Sequence, residues 1–379
     1  MKEEGIEVSV IIPSLNEEKT IGECIEKVKR VFDERNIKGE IIVADNSTDR
    51  TPEIARFLGA KIVTPDKRGY GYAYLYAFKH ARGKYIVIGD ADNTYDFLEI
   101  PKLLEPLRKG EADFVMGSRF KGKILPGAMP WLHKYIGNPL LTWFLNFFFK
   151  AGVSDAHSGF RAITKEALQK LKLRCHGMEF ASEMIIEAVR RGLRIKEVPI
   201  IYHPRDGESK LSSFSDGWRH LKFMLLYSPK HLFVYPGMVL FLFGFVLVLL
   251  ISAGLSKFGN VSLGVHSMIT SSLIAISGYQ LLLLGLAGMV YAHKADIAPE
   301  NEVVDTLLDR LTLEKGAGVG LTIFLIGFAY AAYLVWNWIS SGFGSLPLLK
   351  QDILAFTLLV IGLQTVFHSF FLSLLSERT

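Results

Sequence analysis

The chain has almost no cysteine: Cys24 and Cys175 are the only two in 379 residues. They stand far apart, which excludes a disulfide framework and a thiolate metal site and fits a reducing compartment. An excess of one charge is missing too. Lys and Arg number 43 against 38 Asp and Glu, a net +5 that gives no sign of nucleic-acid binding. The opening MKEEGIEVSV has no basic leader followed by an apolar core, so no signal peptide is expected to send the first domain outward. Internal repeats and low-complexity tracts are absent as well. The second half is short of charge. Four apolar stretches, near Val234–Leu255, Val265–Tyr291, Ala317–Ile339 and Ile353–Leu375, each reach the ~20 residues that cross a bilayer. One such run is commonly a core helix; four in succession predict an all-α membrane domain over residues 234–379.

Before about residue 225, apolar runs alternate with charged stretches, the pattern of an α/β domain. Val8–Pro13, Ile41–Ala44, Lys61–Val63 and Tyr85–Ile88 read as buried strands. Helical spacing follows Thr20, Thr51-Pro52, Tyr72 and Leu98. Strands alternating with helices imply a doubly wound parallel sheet, which binds ligands beyond the carboxyl ends of its strands. Asp45, Asp90 and Asp92 all fall at such ends. Alternate residues of an extended segment point the same way, so Asp90 and Asp92 can converge on one cation. Two hard carboxylates with room for phosphate oxygens suit Mg²⁺ or Mn²⁺. Taken alone, an Asp-x-Asp is more often a turn or a helix cap. Lys67-Arg68-Gly69-Tyr70-Gly71-Tyr72 combines two cations, two glycines for close backbone approach and rings able to pack on a sugar, although a tyrosine-rich surface turn reads the same way. Arg119, after the apolar Phe114-Val115-Met116, could take a phosphate in two-pronged fashion or make an ordinary ion pair.

The motifs EVSVIIPSLNEEKTI, IIVADNSTDRT, KRGYGYAYLYA, GDADN and FVMGSRF, in this order, resemble the successive motifs of family 2 glycosyltransferases with a GT-A nucleotide-sugar fold. Farther on, DAHSGFRAI and PRDGESKL resemble the acceptor-side motifs of dolichyl-phosphate mannose and glucose synthases. The resemblance spans roughly Val8 to Leu211. It implies a Rossmann-like GT-A catalytic domain over residues 1–211, followed by the membrane helices. It further implies that Pro13, Asn16 and Glu17 line the nucleotide pocket, with Asp45 accepting from the base. Asp90, Ala91 and Asp92 would form the donor and metal segment, and Lys67, Gly69 and Gly71 the diphosphate loop. Arg119, Arg205, Ser209 and Lys210 are the candidates for the acceptor phosphate. Asp90, Asp92, Arg119 and Asp155 are the candidates for catalysis, while the lone His157 reads as structural. Two positions depart from the pattern: Ala44 precedes Asp45 where relatives carry a second Asp, and Asn93-Thr94 follow the pair where mannose synthases have Leu-Gln.

What the resemblance implies is inverting transfer of a hexose from a nucleotide sugar to a polyprenyl or dolichyl phosphate. UDP-glucose or another UDP-sugar is slightly favoured over GDP-mannose. Residues 124–151 are apolar but broken by Pro130, Pro139, His133 and Lys134, which suits a segment in the headgroup region or a buried hairpin. Residues 212–233 read as an amphipathic interface helix and 293–316 as a cytoplasmic amphipathic segment. Arg219, Lys222, Lys230, Lys294, Arg310 and Lys315 flank one side of the spans, against only Lys257 and Lys350 on the other. That bias predicts a multi-pass protein of the cell membrane with the catalytic domain and both termini cytoplasmic. Two other readings stay open. One is a processive polysaccharide synthase, whose Gln-x-x-Arg-Trp motif is missing here; the other is a transporter or flippase with a non-catalytic domain. A homo-oligomer is compatible with all of them.

Overall fold

The computed structural model describes residues 5–205, 213–258, 261–295, 312–343 and 349–376. It divides into two compact units, Met1–Met224 and Leu225–Thr379. The first is built on a seven-stranded sheet: β1 (Val8–Ser14), β2 (Gly39–Asp45), β3 (Lys61–Val63), β4 (Tyr85–Ile88), β5 (Phe114–Ile124), β6 (Arg161–Thr164) and β7 (Ile195–Tyr202), ordered β3-β2-β1-β4-β6-β5-β7. β6 runs antiparallel to β4 and β5, and every other pairing is parallel. The sheet is therefore mixed, where the alternating pattern predicts an all-parallel one. β6 is too short and too close to a polar motif for periodicity to reveal its direction.

The inner strands are continuous runs of Val and Ile because helices cover both of their faces; Val8, Val10, Ile11 and Ile12 are all fully buried. The helix α1 (Ile21–Glu34) turns Ile21, Cys24, Ile25, Val28 and Val31 inward at helical spacing. The others are α2 (Thr51–Phe57), α3 (Tyr70–Phe78), α4 (Ile100–Arg108), α5 (Asn138–Phe149), α6 (Lys165–Lys170), α7 (Phe180–Arg190) and α8 (Ser213–Leu226). Register places Ser14 level with Asp45, and Ile11 level with Ile88. Strand order reverses between β1 and β4, so the ends of β1, β2 and β4 open on a single crevice at the switch point.

The second unit holds α9 (Tyr235–Ser252), α10 (Val265–Lys294), α11 (Leu313–Ser340) and α12 (Leu349–Ser376). All four, the first taken with the turn that precedes it from Lys230, are long and apolar enough to cross a membrane, and the protein is a membrane protein. The expected amphipathic segment 293–316 lies mostly outside the described residues. Lipid supplies little hydrophobic drive between helices, so close approach and polar contacts hold them together. Gly278 lets α9 come so near that a methyl group there would stand 2.2 Å from the Phe241 nitrogen; Gly362 does the same for α11, 2.4 Å from the Phe324 nitrogen. Between α10 and α12, hydrogen bonds join Ser272 to Thr357 at 2.7 Å, Tyr279 to Thr365 at 2.6 Å and Gln364 to Gln280 at 2.8 Å.

Candidate active site

Asp90 follows β4 and the tight passage at Gly89, where a methyl group would meet the rings of Phe97 and Phe160 at 2.9–3.1 Å. Asp90 Oδ1 accepts hydrogen bonds from the hydroxyls of Tyr70 at 2.9 Å and Tyr74 at 3.4 Å. Asp92 Oδ1 accepts from the Thr94 backbone at 3.2 Å and its hydroxyl at 2.6 Å. Arg205 bridges two elements, reaching Glu17 at 3.0 Å and Asp92 at 3.5 Å. From below, α1 braces the segment: Cys24 Sγ donates to the Ala91 carbonyl at 3.6 Å and Lys27 Nζ to Asn93 Oδ1 at 2.7 Å. Burial, then the neighbouring Asp92, pushes the Asp90 carboxyl up to about 7, against the pull of Tyr70 and Arg205. The segment carries more negative charge than its surroundings compensate.

The loops after β1 and β2 lock together. Ser14 and Ser47 hydroxyls both donate to Asp45 Oδ1 at 2.6 Å, and the Ser47 backbone donates to Oδ2 at 3.2 Å. Asn16, in the left-handed region at φ 54°, accepts from the Thr48 backbone at 2.9 Å and donates its own N–H to Ser47. Glu17 donates its backbone N–H to the Thr51 hydroxyl at 2.9 Å. Pro13, Asn16, Glu17 and Asp45 thus share one corner. Gly69 and Gly71 stand where α3 begins, and methyl groups on them would lie 2.4 Å from the His176 carbonyl and 2.3 Å from the Cys175 carbonyl. Their small size serves close packing against residues 175–177. Lys67 is exposed, 5.8 Å over the Tyr72 ring.

Arg119 and Asp155 are brought together but turned on each other, in a buried pair at 2.7 Å. The Arg119 guanidinium also lies 5.1 Å over the Tyr202 ring. Burial works against its charge, yet Asp155 and the adjoining tyrosines hold it well above the usual arginine value. Arg161, from the same stretch as Asp155, clips the chain by donating to the carbonyls of Ser158, Ala181 and Ala156 at 2.7–2.9 Å. His157 packs edge-on against His220, with ring centroids 4.5 Å apart. Burial, with His220, Arg119 and Arg161 nearby, lowers its pKa well below the ordinary histidine value, so it is neutral. Arg205 is placed at Asp92 and Glu17; Ser209 and Lys210 lie outside the described residues.

Residues 9–172 match the family described as glycosyl transferase family 2, and residues 286–376 match the glycosyltransferase family 2 C-terminal transmembrane region. The low-salt glycan biosynthesis hexosyltransferase Agl6 of Haloferax volcanii is 50% identical over 370 residues, 98% of this chain and 89% of that protein. The chain belongs to glycosyltransferase family 2. A dolichyl-phosphate hexose transferase of the same organism is 35% identical over 213 residues, covering 56% of this chain and 89% of its own. Among solved structures, glucosyl-3-phosphoglycerate synthase of Mycobacterium tuberculosis with Mn²⁺, UDP-glucose and phosphoglyceric acid is 25% identical, with a TM-score of 0.49 over 58% of this chain and 79% of that one.

Several residues that hold this glycosyltransferase's site together lie in or beside its motifs without being singled out by them. Ser14 and Ser47 hold Asp45, Thr94 holds Asp92, and Tyr74 joins Tyr70 on Asp90. Glu197 on β7 gathers the Ser154 backbone at 2.8 Å, the Ser154 hydroxyl at 3.0 Å and the Asp155 backbone at 3.1 Å. Thr94 stood out only as a departure from the mannose-synthase pattern. Glu197 lies 42 positions from Asp155 and no local signal links the two.

Proposed function

We propose that this glycosyltransferase moves a hexose, with inversion, from a nucleotide sugar to the phosphate of a polyprenyl or dolichyl lipid. UDP-glucose or another UDP-sugar stands ahead of GDP-mannose. The observation that carries the reading is the Asp90–Asp92 pair at the switch-point edge, both half-buried, with the Asp90 carboxyl raised to about 7. Such a pair calls for a cation. Among the described residues no group of three His, Cys, Asp or Glu could hold a metal ion. Two carboxylates fit Mg²⁺ or Mn²⁺ whose remaining ligands come from the substrate's diphosphate. When bound, that ion supplies positive charge to the departing nucleotide diphosphate.

The chain's own groups do the rest. Asp45, fixed by two serines, accepts from the base, and Lys67 with Arg68 attracts the diphosphate. Arg205 has a buried Nε without a partner among the described residues, so it can add a phosphate oxygen to its carboxylate contacts. The acceptor needs no dedicated base: a lipid monophosphate has a second pKa near ~6 and is largely dianionic around neutral pH. Asp155, committed to Arg119, is consistent with that. The name of the dolichyl-phosphate relative and the four apolar helices support a lipid acceptor. Trp131, Leu132, Tyr135, Ile136, Leu140, Trp143 and Phe147 are all exposed and would bed in the headgroup region. The basic flanks favour a cytoplasmic catalytic domain in the cell membrane.

The test is transfer by purified protein in detergent, with a polyprenyl phosphate and labelled UDP-glucose, UDP-N-acetylglucosamine or GDP-mannose, with and without EDTA. The expected result is metal-dependent label in an organic-extractable, mild-acid-labile product from one donor. An aqueous homopolymer, or equal transfer in EDTA, would overturn the reading.

A further inference from the structure

α3 begins where the donor loop ends, and its first turn carries Tyr70 with Tyr74 four residues on, on the same helix face. Both hydroxyls converge on one atom, Asp90 Oδ1, at 2.9 and 3.4 Å. Their rings meet edge to face with centroids 5.2 Å apart, and each rests on Phe180, at 6.5 and 5.2 Å. The other oxygen, Oδ2, points at Gly159, where a methyl group would come within 2.8 Å. No hydrogen bond reaches Oδ2 among the described residues. Glycine keeps the space in front of that oxygen clear.

We propose that Tyr70, assisted by Tyr74, is a positioning residue that occupies Asp90 Oδ1 so that Oδ2 alone is presented to the divalent cation, tying the donor loop to the cation site. This rests on the reading that Asp90 and Asp92 hold such a cation. A half-buried carboxylate with one oxygen fixed has a single orientation to offer. Without the hydroxyls it can rotate, and the start of α3 loses its polar link to β4. Partners that orient a metal-binding carboxylate change affinity by about 10- to 100-fold when removed. Phenylalanine keeps each ring on Phe180 and deletes only the hydroxyl, so packing and orientation can be separated.

The test titrates Mn²⁺ into the full-length protein in detergent and follows free Mn²⁺ by electron paramagnetic resonance, alone and with UDP. Tyr70→Phe should weaken Mn²⁺ binding about 10-fold and the Tyr70→Phe/Tyr74→Phe double variant further, with melting temperature unchanged. Tyr76→Phe, on the same helix but with no bond to Asp90, should bind as wild type does, and Asp92→Ala should not bind. If Asp92→Ala loses the ion while the double variant keeps wild-type affinity, the positioning role is wrong and the cation reading stands. Wild type and Asp92→Ala binding alike, or neither binding, would remove both. Weakened binding that comes only with a lowered melting temperature would make the tyrosines supports of the fold and overturn the proposal.

Discussion

Arg119 and Asp155 form a two-pronged ion pair, Nε to Oδ2 and Nη2 to Oδ1, both at 2.7 Å, with the Arg119 backbone N–H also donating to Oδ2 at 2.9 Å. Neither side chain meets solvent to any extent: the two are 7% and 0% exposed. Removing one partner strands a buried charge, which typically costs about 3–5 kcal/mol. Asp155→Ala should therefore lower the melting temperature of the full-length protein sharply. Arg119→Lys should also destabilise, because an ammonium cannot reproduce the fork. Asp155→Asn with wild-type stability and no turnover would mark Asp155 as a reacting group instead.

Asp90 gives the metal-free protein a pH dependence of definite sign. Its carboxyl is raised to about 7 from an ordinary 3.8, so between those values the folded state keeps a proton that the unfolded chain has lost. Stability therefore falls as pH rises through this window, by about 1.4 kcal/mol for each pH unit crossed. Melting in EDTA should show the decline, and Asp90→Asn should flatten it and raise stability at pH 8. Mn²⁺ with UDP should stabilise wild type more at pH 8 than at pH 5, since an ion competes with the proton. A wild-type protein equally stable at both pH values in EDTA would contradict the burial argument.

The Asp45 corner predicts a loss in donor binding alone. Ser14 and Ser47 each donate to Oδ1, so Asp45→Ala removes the acceptor proposed for the base and leaves both serines without their common partner. Hydrogen bonds to charged groups are worth about 1.5–3 kcal/mol, equivalent to a rise of roughly 10- to 100-fold in donor KM. The acceptor KM should stay as it was. Equal effects on both would indicate a general distortion of the β1–β2 loops.

What could be read from the sequence divides along physical lines. Continuous Val and Ile runs located β1, β2 and β4, and the Asp-x-Asp after one of them marked the edge where Asp90 and Asp92 now stand. Spans of twenty apolar residues are set by bilayer thickness alone, so α9 to α12 needed no tertiary information. The reversal of β6 depends on which strands flank it, and no local period encodes that. Arg119 illustrates a different limit. Its place after a strand left a phosphate ligand or an ion pair open, and the carboxylate it pairs with lies 36 residues later. The two donor-loop glycines read as allowing close backbone approach, and one backbone that approaches Gly69 and Gly71 is that of residues 175–177, about a hundred positions away.

Gly159 offers a test that inserts bulk rather than removing a bond. Its φ lies outside the left-handed region that disfavours other residues, so alanine meets no backbone penalty there and acts through its methyl group alone. That group would stand 2.8 Å from Asp90 Oδ2, 3.1 Å from the Tyr70 hydroxyl and 3.3 Å from the Tyr95 ring. Tyr95 is held in place by its own contact, accepting from the Gly159 backbone at 2.7 Å, so the carboxylate must yield. Turning Oδ2 away should weaken Mn²⁺ binding and slow transfer, while overpacking adds about 1–3 kcal/mol of destabilisation. The Gly159→Ala/Tyr70→Phe double variant decides between the two effects. If the methyl group acts by displacing the carboxylate that Tyr70 holds, the losses in Mn²⁺ affinity combine to less than their product. Losses that multiply would mean that Gly159 and Tyr70 act on the site independently.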